Sequence, residues 1–204
     1  MNKQLLESLI QKHQGQILST KSVYRGKFLG INESRVKLSN GKTIIREQIV
    51  KNNGYTDAVI ILPITAEDDV ILTVQPRTFV PSGVGIGVPA GYVDSGEEPL
   101  KAAIRELREE TGYTSNEFVK VAEYYQDSGC SDALITCYIA YNAYKVGEQD
   151  LDGDEFIDLF TCKVSEVGEL IDNGVIKSAS TQVTYNELLR RRSRNEDRCL
   201  RREL

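Results

Sequence analysis

Apolar residues near the start of the chain follow two patterns in succession. The first pattern consists of four apolar residues at helical spacing: Leu5, Leu6, Leu9 and Ile10. They follow Asn2, which can cap a helix, and so predict a short amphipathic helix over residues 2–13. Strand-like segments follow at residues 24–31, 35–38 and 43–50, and Asn40-Gly41 between the last two is a strong hairpin signal. This opening predicts a small antiparallel sheet. Because such a sheet buries little apolar surface by itself, we expect it to pack against the rest of the chain or a second copy.

Beyond residue 54 the apolar runs become longer, as is typical of buried central strands. We predict strands at residues 58–64, 70–74, 118–126, 134–146 and 156–164, and a short strand inside the Pro- and Gly-rich loop 81–91. Helices are predicted from Pro99 to just before Gly112, over residues 165–173, and from residue 179 into an arginine-rich C-terminus. This order predicts a mixed sheet with helices on its faces, an α/β or α+β sandwich.

The charge balance restricts the partners. The 204 residues suit one principal domain, and 25 Lys and Arg against 30 Asp and Glu give a formal net charge of -5. We therefore expect no membrane partner and no nucleic acid, and an anionic substrate would need a local cation such as a bound metal. Seven arginines and four acids occupy residues 187–204. We interpret this tail as a solvated helix end, with docking to a partner or to RNA as the alternative.

Cysteine and histidine usage excludes several kinds of site. The four cysteines form no Cys-x-x-Cys pair and the one histidine, His13, is far from them in sequence, which argues against a zinc site and favours reduced thiols. His13 lies in a polar stretch and is interpreted as an exposed helix-end residue, so catalysis must come from carboxylates, metals, lysines or tyrosines. No signal-like or membrane-spanning apolar run occurs, and we expect a cytoplasmic location.

The helix after Pro99 has an unusual distribution of charge. An apolar stripe of Leu100, Ala103, Ile104 and Leu107 is predicted to face the sheet. Beside it, Glu106 and Glu110 are four residues apart and repel each other, at the helix end where the macrodipole disfavours anions. A solvated acidic face is the alternative, but sequences that break local rules in this way tend to do so at functional sites. This many oxygen ligands suits Mg²⁺ or Mn²⁺.

The same segment resembles a Nudix box in full. Gly91, Glu97 and the run Arg105-Glu106-Leu107-Arg108-Glu109-Glu110-Thr111-Gly112-Tyr113 occupy its defining positions. The surrounding chain, roughly residues 20–190, resembles the ADP-ribose pyrophosphatase branch in residues 24–28, 59–63, 89–91 and 153–157. The resemblance implies an α/β fold, a Nudix α/β/α sandwich with a mixed central sheet plus a small N-terminal antiparallel sheet. It further implies that residues 1–54 serve dimerisation and substrate contact in a homodimer, and that residues 55–204 form the hydrolase domain with its arginine-rich C-terminal helix.

The resemblance also implies roles for individual residues. Glu106 and Glu110, with the Ala90 carbonyl, would bind catalytic Mg²⁺ or Mn²⁺, and Glu109 is a further ligand candidate. Arg105 would orient the glutamates, and a supporting network would hold them: Gly91, Glu97 and Gly112.

The general base is expected outside the box. Glu155, in an acidic loop, is our candidate; Asp154 or Asp152 could take that role instead, and a merely solvated loop is the remaining alternative.

ADP-ribose, cleaved to AMP and ribose 5-phosphate, is the substrate that the resemblance implies. Three stretches depart from that branch: Gly87 replaces a glutamate, residues 74–77 read Val-Gln-Pro-Arg, and residues 128–133 lack a proline and an acid. GDP-mannose or another nucleotide sugar is therefore the alternative substrate, and a non-catalytic nucleotide sensor is the alternative class. Arg77 is a candidate phosphate clamp or a plain surface arginine. Tyr24 and Phe28 are candidates for stacking on a base, or core aromatics.

Overall fold

The computed structural model describes residues 2–51 and 57–194, which fall into two compact units. One unit combines the N-terminal segment with residues 125–133, and the other combines residues 57–124 with the chain from 134 onward. No helix within the described ranges is both long and apolar enough to cross a membrane.

Over its described residues, the N-terminal unit contains one helix and a three-stranded antiparallel sheet in the order β1-β2-β3. Its elements are α1 (Lys3–Lys12), β1 (Gly15–Arg25), β2 (Leu29–Leu38) and β3 (Thr43–Lys51). Asn2 caps α1, since its side-chain oxygen accepts a hydrogen bond from the Leu5 amide at 3.1 Å. Gly41, with φ of 84°, allows the tight turn between β2 and β3. The predicted helix, sheet and hairpin are confirmed.

The predicted strand over residues 24–31 is wrong, because a turn divides it. β1 begins at Gly15 and ends at Arg25, and the Gly26 amide then donates to the Leu29 carbonyl at 2.8 Å to close the hairpin. A Cβ at position 26 would lie 3.1 Å from that carbonyl oxygen. The turn therefore favours glycine, because a side chain at position 26 would crowd that carbonyl. The strand-like composition around the turn conceals this preference.

The second unit is built on a seven-stranded sheet. The main order is β12-β5-β4-β10-β9, with β6 pairing β5 and β7 pairing β4. β10 runs parallel to β4, while β5 and β7 run antiparallel to it, so the sheet is mixed. The strands are β4 (Ala58–Ile64), β5 (Asp69–Pro76), β6 (Val84–Gly87), β7 (Ala90–Tyr92), β9 (Glu117–Tyr125), β10 (Leu134–Tyr141) and β12 (Asp158–Lys163). A separate two-stranded pair joins β8 (Tyr113–Thr114) to β11 (Tyr144–Lys145).

Helices cover both faces of this sheet: α2 (Pro99–Thr111), α3 (Val164–Asp172) and α4 (Ala179–Ser193). Alternate residues of β4 point to opposite faces, as the pleat requires. Val59 and Ile61 join an apolar cluster with Leu107 of α2, whereas Ile60 and Leu62 join a second cluster that includes residues of α3 and α4. The α/β/α sandwich predicted from the sequence is confirmed.

The buried face of α2 differs from the predicted stripe. Leu100 is 43% exposed and Ile104 is 39% exposed, so these two residues do not face the sheet. The residues that α2 buries are Ala102, Ala103, Leu107, Glu110 and Thr111. The helix is rotated about its axis, which moves the edge that carries Glu110 inward. The prediction from the apolar pattern placed the large side chains Leu100 and Ile104 against the sheet. The structure instead places the small alanines there, which allow the helix to approach the sheet closely.

Candidate active site

The candidate site lies where the C-terminal half of α2 meets β7 and the loop after β11. Pro99 begins the helix at a position where the missing amide costs nothing, and Gly112 ends it in the left-handed conformation with φ of 72°. In β7, a Cβ at Gly91 would fall 1.9 Å from the carboxyl carbon of Glu106. Only glycine at position 91 therefore allows the Glu106 carboxylate to occupy its present place.

Arg105 links the acidic side chains of the site, and all five of its N–H groups have acceptors. Its Nε and Nη2 donate to the two carboxylate oxygens of Glu97 at 3.1 and 2.9 Å. Nη1 donates to Glu106 at 2.7 Å and to Glu109 at 3.0 Å, and Nη2 also reaches the Tyr92 carbonyl at 2.9 Å. This bracing fixes three glutamates relative to β7, and it raises the pKa of the guanidinium still further.

Burial affects the carboxylates unequally. The hydrogen bonds from Arg105 lower the pKa of Glu97. Burial raises the pKa of Glu106, against the opposing effect of Arg105. Glu110 is only 3% exposed, and burial raises its pKa to about 8. The Ala90 amide, which donates to Glu110 at 3.0 Å, opposes that rise, while the charge of Glu106 adds to it.

The Glu110 carboxylate has few hydrogen-bond partners for a charged group that is so deeply buried. Among the described residues, only the Ala90 amide donates a hydrogen bond to it, and a carboxylate has about four acceptor positions. The neighbouring acidic side chains supply carboxylate oxygens, which suit a hard divalent cation such as Mg²⁺ or Mn²⁺. As the side chains stand, no three His, Cys, Asp or Glu residues of the described chain converge into a ready metal cluster. Glu109 in particular is turned to Arg105.

Two more predicted residues lie near enough to this group of carboxylates to shift their pKa values. Glu155 is exposed in a tight turn, where its amide donates to the Asp152 carbonyl at 2.9 Å and its Oε2 accepts from the Asp152 amide at 3.1 Å. Its negative charge raises the pKa of both Glu106 and Glu110, while the positive charge of Arg77 lowers that of Glu110. Both side chains therefore act electrostatically on the buried carboxylate.

The sequence interpretation missed two residues that hold the site in place. Thr181 of α4, fully buried, accepts a hydrogen bond from the Val88 amide at 3.2 Å and so anchors the segment leading into β7. A Cβ at Gly87 would lie 2.7 Å from its hydroxyl oxygen, so the glycine at this position is a packing requirement. Gln149 donates from its side-chain amide to the Glu110 carbonyl at 2.7 Å and to the Ile157 carbonyl at 3.0 Å. The contacts from Thr181 to Val88 and from Gln149 to Glu110 join segments far apart in sequence, so no local pattern indicates them.

Some predicted residues belong to the other unit or to the tail. Tyr24 and Phe28 lie in the N-terminal unit and are 57% and 59% exposed, so the alternative that they are core aromatics is wrong. Their stacking on a base stays a prediction. His13 is an exposed residue at the C-terminal end of α1. The interpretation of the tail rests partly on residues 195–204, which lie outside the described residues.

Comparison with known proteins identifies similar sequences and folds. The model of the NUDIX domain family matches residues 54–185. ADP-ribose pyrophosphatase of Bacillus subtilis (strain 168) is 32% identical over 165 residues, covering 80% of this chain and 86% of that protein. GDP-mannose pyrophosphatase of Cronobacter sakazakii (strain ATCC BAA-894) is 33% identical over 150 residues, covering 70% and 76%. A crystal structure of an ADP compounds hydrolase superposes with a TM-score of 0.76 at 21% identity, covering 90% of this chain and 97% of that one, which is a likeness of fold.

Proposed function

The chain belongs to the Nudix family of hydrolases, and we propose that it hydrolyses the diphosphate of ADP-ribose to AMP and ribose 5-phosphate. One observation carries this proposal: a nearly fully buried carboxylate, Glu110, lies beside Glu106 at the end of α2. Two neighbouring acids in a place that disfavours both are a costly arrangement for a folded protein. A bound cation would offset that cost.

The proposed metal ligands are Glu106, Glu110 and the Ala90 carbonyl, with Glu109 as a further candidate. Mg²⁺ or Mn²⁺ held there would neutralise the charge that builds up on the diphosphate in the transition state. Glu109 would have to leave Arg105, to which it is bonded at 3.0 Å, before it joined the ligands.

The remaining chemistry is assigned to the side chains of the chain itself. Arg105 and Glu97 hold the ligands in place, and Gly91 leaves room for Glu106. Glu155 takes a proton from the water that attacks one phosphorus, because its Oε1 accepts no hydrogen bond from the described residues and stays available as a base. The bond from that phosphorus to the bridging oxygen breaks, and two phosphate monoesters leave. Arg77 stabilises the negative charge of the diphosphate.

A nucleotide sugar such as GDP-mannose is the second candidate substrate. Its support is the contact between Gly87 and Thr181, which excludes the glutamate found at that position in the ADP-ribose branch, together with the similarity to a GDP-mannose pyrophosphatase. A nucleotide sensor without hydrolysis is less well supported, because the chain keeps every glutamate of the box.

The test is a panel of nucleoside diphosphate derivatives, incubated with Mg²⁺ or with Mn²⁺ and read out by product chromatography. We expect ADP-ribose to give AMP and ribose 5-phosphate at the highest kcat/KM. A preference for GDP-mannose would replace the substrate but not the mechanism. If the protein bound a panel member tightly and released no product under either metal, the hydrolase proposal would be overturned in favour of the sensor.

We also propose a homodimer formed through the N-terminal unit. No residue of α1 or β1 is buried, and large apolar side chains of this unit are exposed: Leu5, Ile10, Ile17, Val23, Ile45 and Ile49. A second copy would bury this surface and would be consistent with a substrate contact through Tyr24 or Phe28. Light scattering on a size-exclusion column at micromolar concentration decides the matter, and a monomer would contradict it. The cytoplasmic location stays a prediction.

A further inference from the structure

The C-terminal end of α2 is capped by a distant segment, the loop of residues 146–150, which we call the capping loop. The last carbonyls of a helix lack partners within the helix and need donors from elsewhere. The Asp150 amide donates to the Glu109 carbonyl at 2.9 Å, and the Val146 amide donates to the Gly112 carbonyl at 2.8 Å. A Cβ at Gly112 would fall 2.3 Å from the Gly147 carbonyl oxygen, so the helix end and the loop are in close contact.

Gln149 extends this cap with its side chain. Its Nε2 donates one hydrogen bond to the Glu110 carbonyl at 2.7 Å and another to the Ile157 carbonyl at 3.0 Å. A primary amide nitrogen has two protons, so both are used. Gln149 therefore connects the backbone of the metal-ligand candidate Glu110 to the residue that directly precedes β12.

The hydrogen bond to Ile157 closes the segment that carries the candidate base, and the hydrogen bond to Glu110 joins that segment to α2. The segment of residues 150–157 begins at the end of the capping loop. Its last residue, Ile157, is bonded back to the Gln149 side chain through its carbonyl. Glu155 lies within this closed loop, where its turn with Asp152 fixes it locally. Ile157 is buried at 4% exposure, while Glu155 two residues earlier is exposed. The anchored residue is therefore only two positions along the chain from the carboxylate that must be held in place.

We propose that Gln149 is a positioning residue that holds the loop carrying Glu155 at a fixed place relative to Glu106 and Glu110. This inference rests on the proposed function, since it needs Glu155 to act as the base. Both protons of the Gln149 amide are used by backbone carbonyls, so we assign it no contact with the reacting atoms. Gln149 affects the reaction only by fixing the position of the Glu155 carboxylate.

The first experiment replaces Gln149 by methionine, which keeps the length of the side chain and removes both donors. Displacing a reacting group by about 1 Å can cost about 10²-fold in rate, so we expect kcat to fall about 10- to 100-fold with KM within about threefold of wild type. Glu148→Gln in the same loop is the matched control, because that side chain is 90% exposed, and it should keep wild-type kcat. Wild-type kcat in Gln149→Met would overturn the inference.

A double-mutant cycle separates positioning of Glu155 from general loosening of the helix end. If Gln149 acts through Glu155, then adding Gln149→Met to Glu155→Gln should lower kcat by less than about threefold, because the group being positioned is already absent. A loss as large as in the wild-type background would overturn the inference and leave the proposed function standing. Wild-type kcat in Glu155→Gln alone would instead remove Glu155 as the base, and both proposals would fail at that step.

A measurement without substrate or metal gives a second readout. Amide hydrogen exchange should accelerate at least tenfold over residues 150–157 in Gln149→Met, and it should stay unchanged in the strands β4 and β10. Unchanged exchange in residues 150–157 would overturn the inference even if kcat fell. Should Gln149→Met fail to fold, Gln149→Asn, whose shorter side chain keeps the amide but cannot span both carbonyls, serves in the same assays with the same outcomes.

Discussion

Replacing Glu110 by glutamine should stabilise the metal-free protein at alkaline pH. Burial raises the pKa of Glu110 to about 8 in the folded chain, and the charges of Glu106 and Glu155 act in the same direction, opposed by Arg77 and the Ala90 amide. Folding therefore favours the protonated form. Burying the ionised carboxylate destabilises the folded wild-type protein, and the neutral glutamine avoids that cost. Glutamine also keeps an oxygen that can accept the hydrogen bond from the Ala90 amide.

The sign and the pH window follow from the two pKa values. Below the ordinary value of 4.5 the carboxyl is protonated in both states and costs nothing. As pH rises toward 8 the unfolded chain releases the proton while the folded chain retains it, so wild-type stability falls by up to about 1.4 kcal/mol per pH unit. Integrated from pH 5 to pH 8.5, this difference amounts to about 4 kcal/mol. A buried amide that lacks an acceptor costs about 1–3 kcal/mol at every pH, which shifts the whole curve without changing its slope.

The assay is urea unfolding in excess EDTA at pH 5 and at pH 8.5, for wild type and for Glu110→Gln. We expect the variant to be no more stable than wild type at pH 5 and more stable by about 2–3 kcal/mol at pH 8.5, since the pH-linked gain exceeds the fixed cost of the amide. Glu109→Gln is the matched control, because its side chain lies on the same helix and is 39% exposed. A difference between Glu110→Gln and wild type that does not change with pH would refute the reasoning from burial.

Three further outcomes are expected. Excess EDTA should abolish turnover, and added Mg²⁺ or Mn²⁺ should restore it, because oxygen ligands around a diphosphate require a hard cation; turnover that persists in EDTA would exclude the metal mechanism. Gly91→Ala should lower kcat at least about 100-fold, since the new Cβ would fall 1.9 Å from Glu106, whereas Gly153→Ala, with open space around it, should behave as wild type in the same steady-state assay. Arg105→Lys keeps the charge but loses the planar group that joins Glu97, Glu106 and Glu109, so we expect kcat to fall about 10- to 100-fold. Arg108→Lys, at an exposed position, is the control, and equal rates in those two variants would show that the charge alone suffices.

The sequence predicts those parts of the fold that depend on local signals. Pro99 and Gly112 mark the ends of α2, and Asn40-Gly41 marks a hairpin, because each residue acts on its own backbone. Glu106, Glu109 and Glu110 are recognisable for the same reason, since their spacing along one helix brings them together.

The structural features that could not be predicted from the sequence depend mainly on contacts between distant segments. The rotation of α2 is decided by how closely Ala102 and Ala103 approach the sheet, and the place of Gln149 depends on carbonyls at positions 110 and 157. The strand β1 was missed over most of its length because its residues are exposed throughout and carry no alternation of burial. Periodicity reports burial, and it gives no signal where a strand buries nothing.

The alternation along β4 separates residues that are neighbours in the chain. Ile60 and Ile61 are adjacent, yet Ile60 packs in the cluster beneath α3 and α4 while Ile61 packs against the helix that carries the candidate site. A change of volume at position 61 would be transmitted to α2, and the same change at position 60 would be absorbed on the opposite face. Ile61 thus shares its packing environment with Leu107, which lies far along the sequence, and does not share it with the residue that precedes it. The helix layers on the two faces of the sheet therefore pack against different residues of one shared strand.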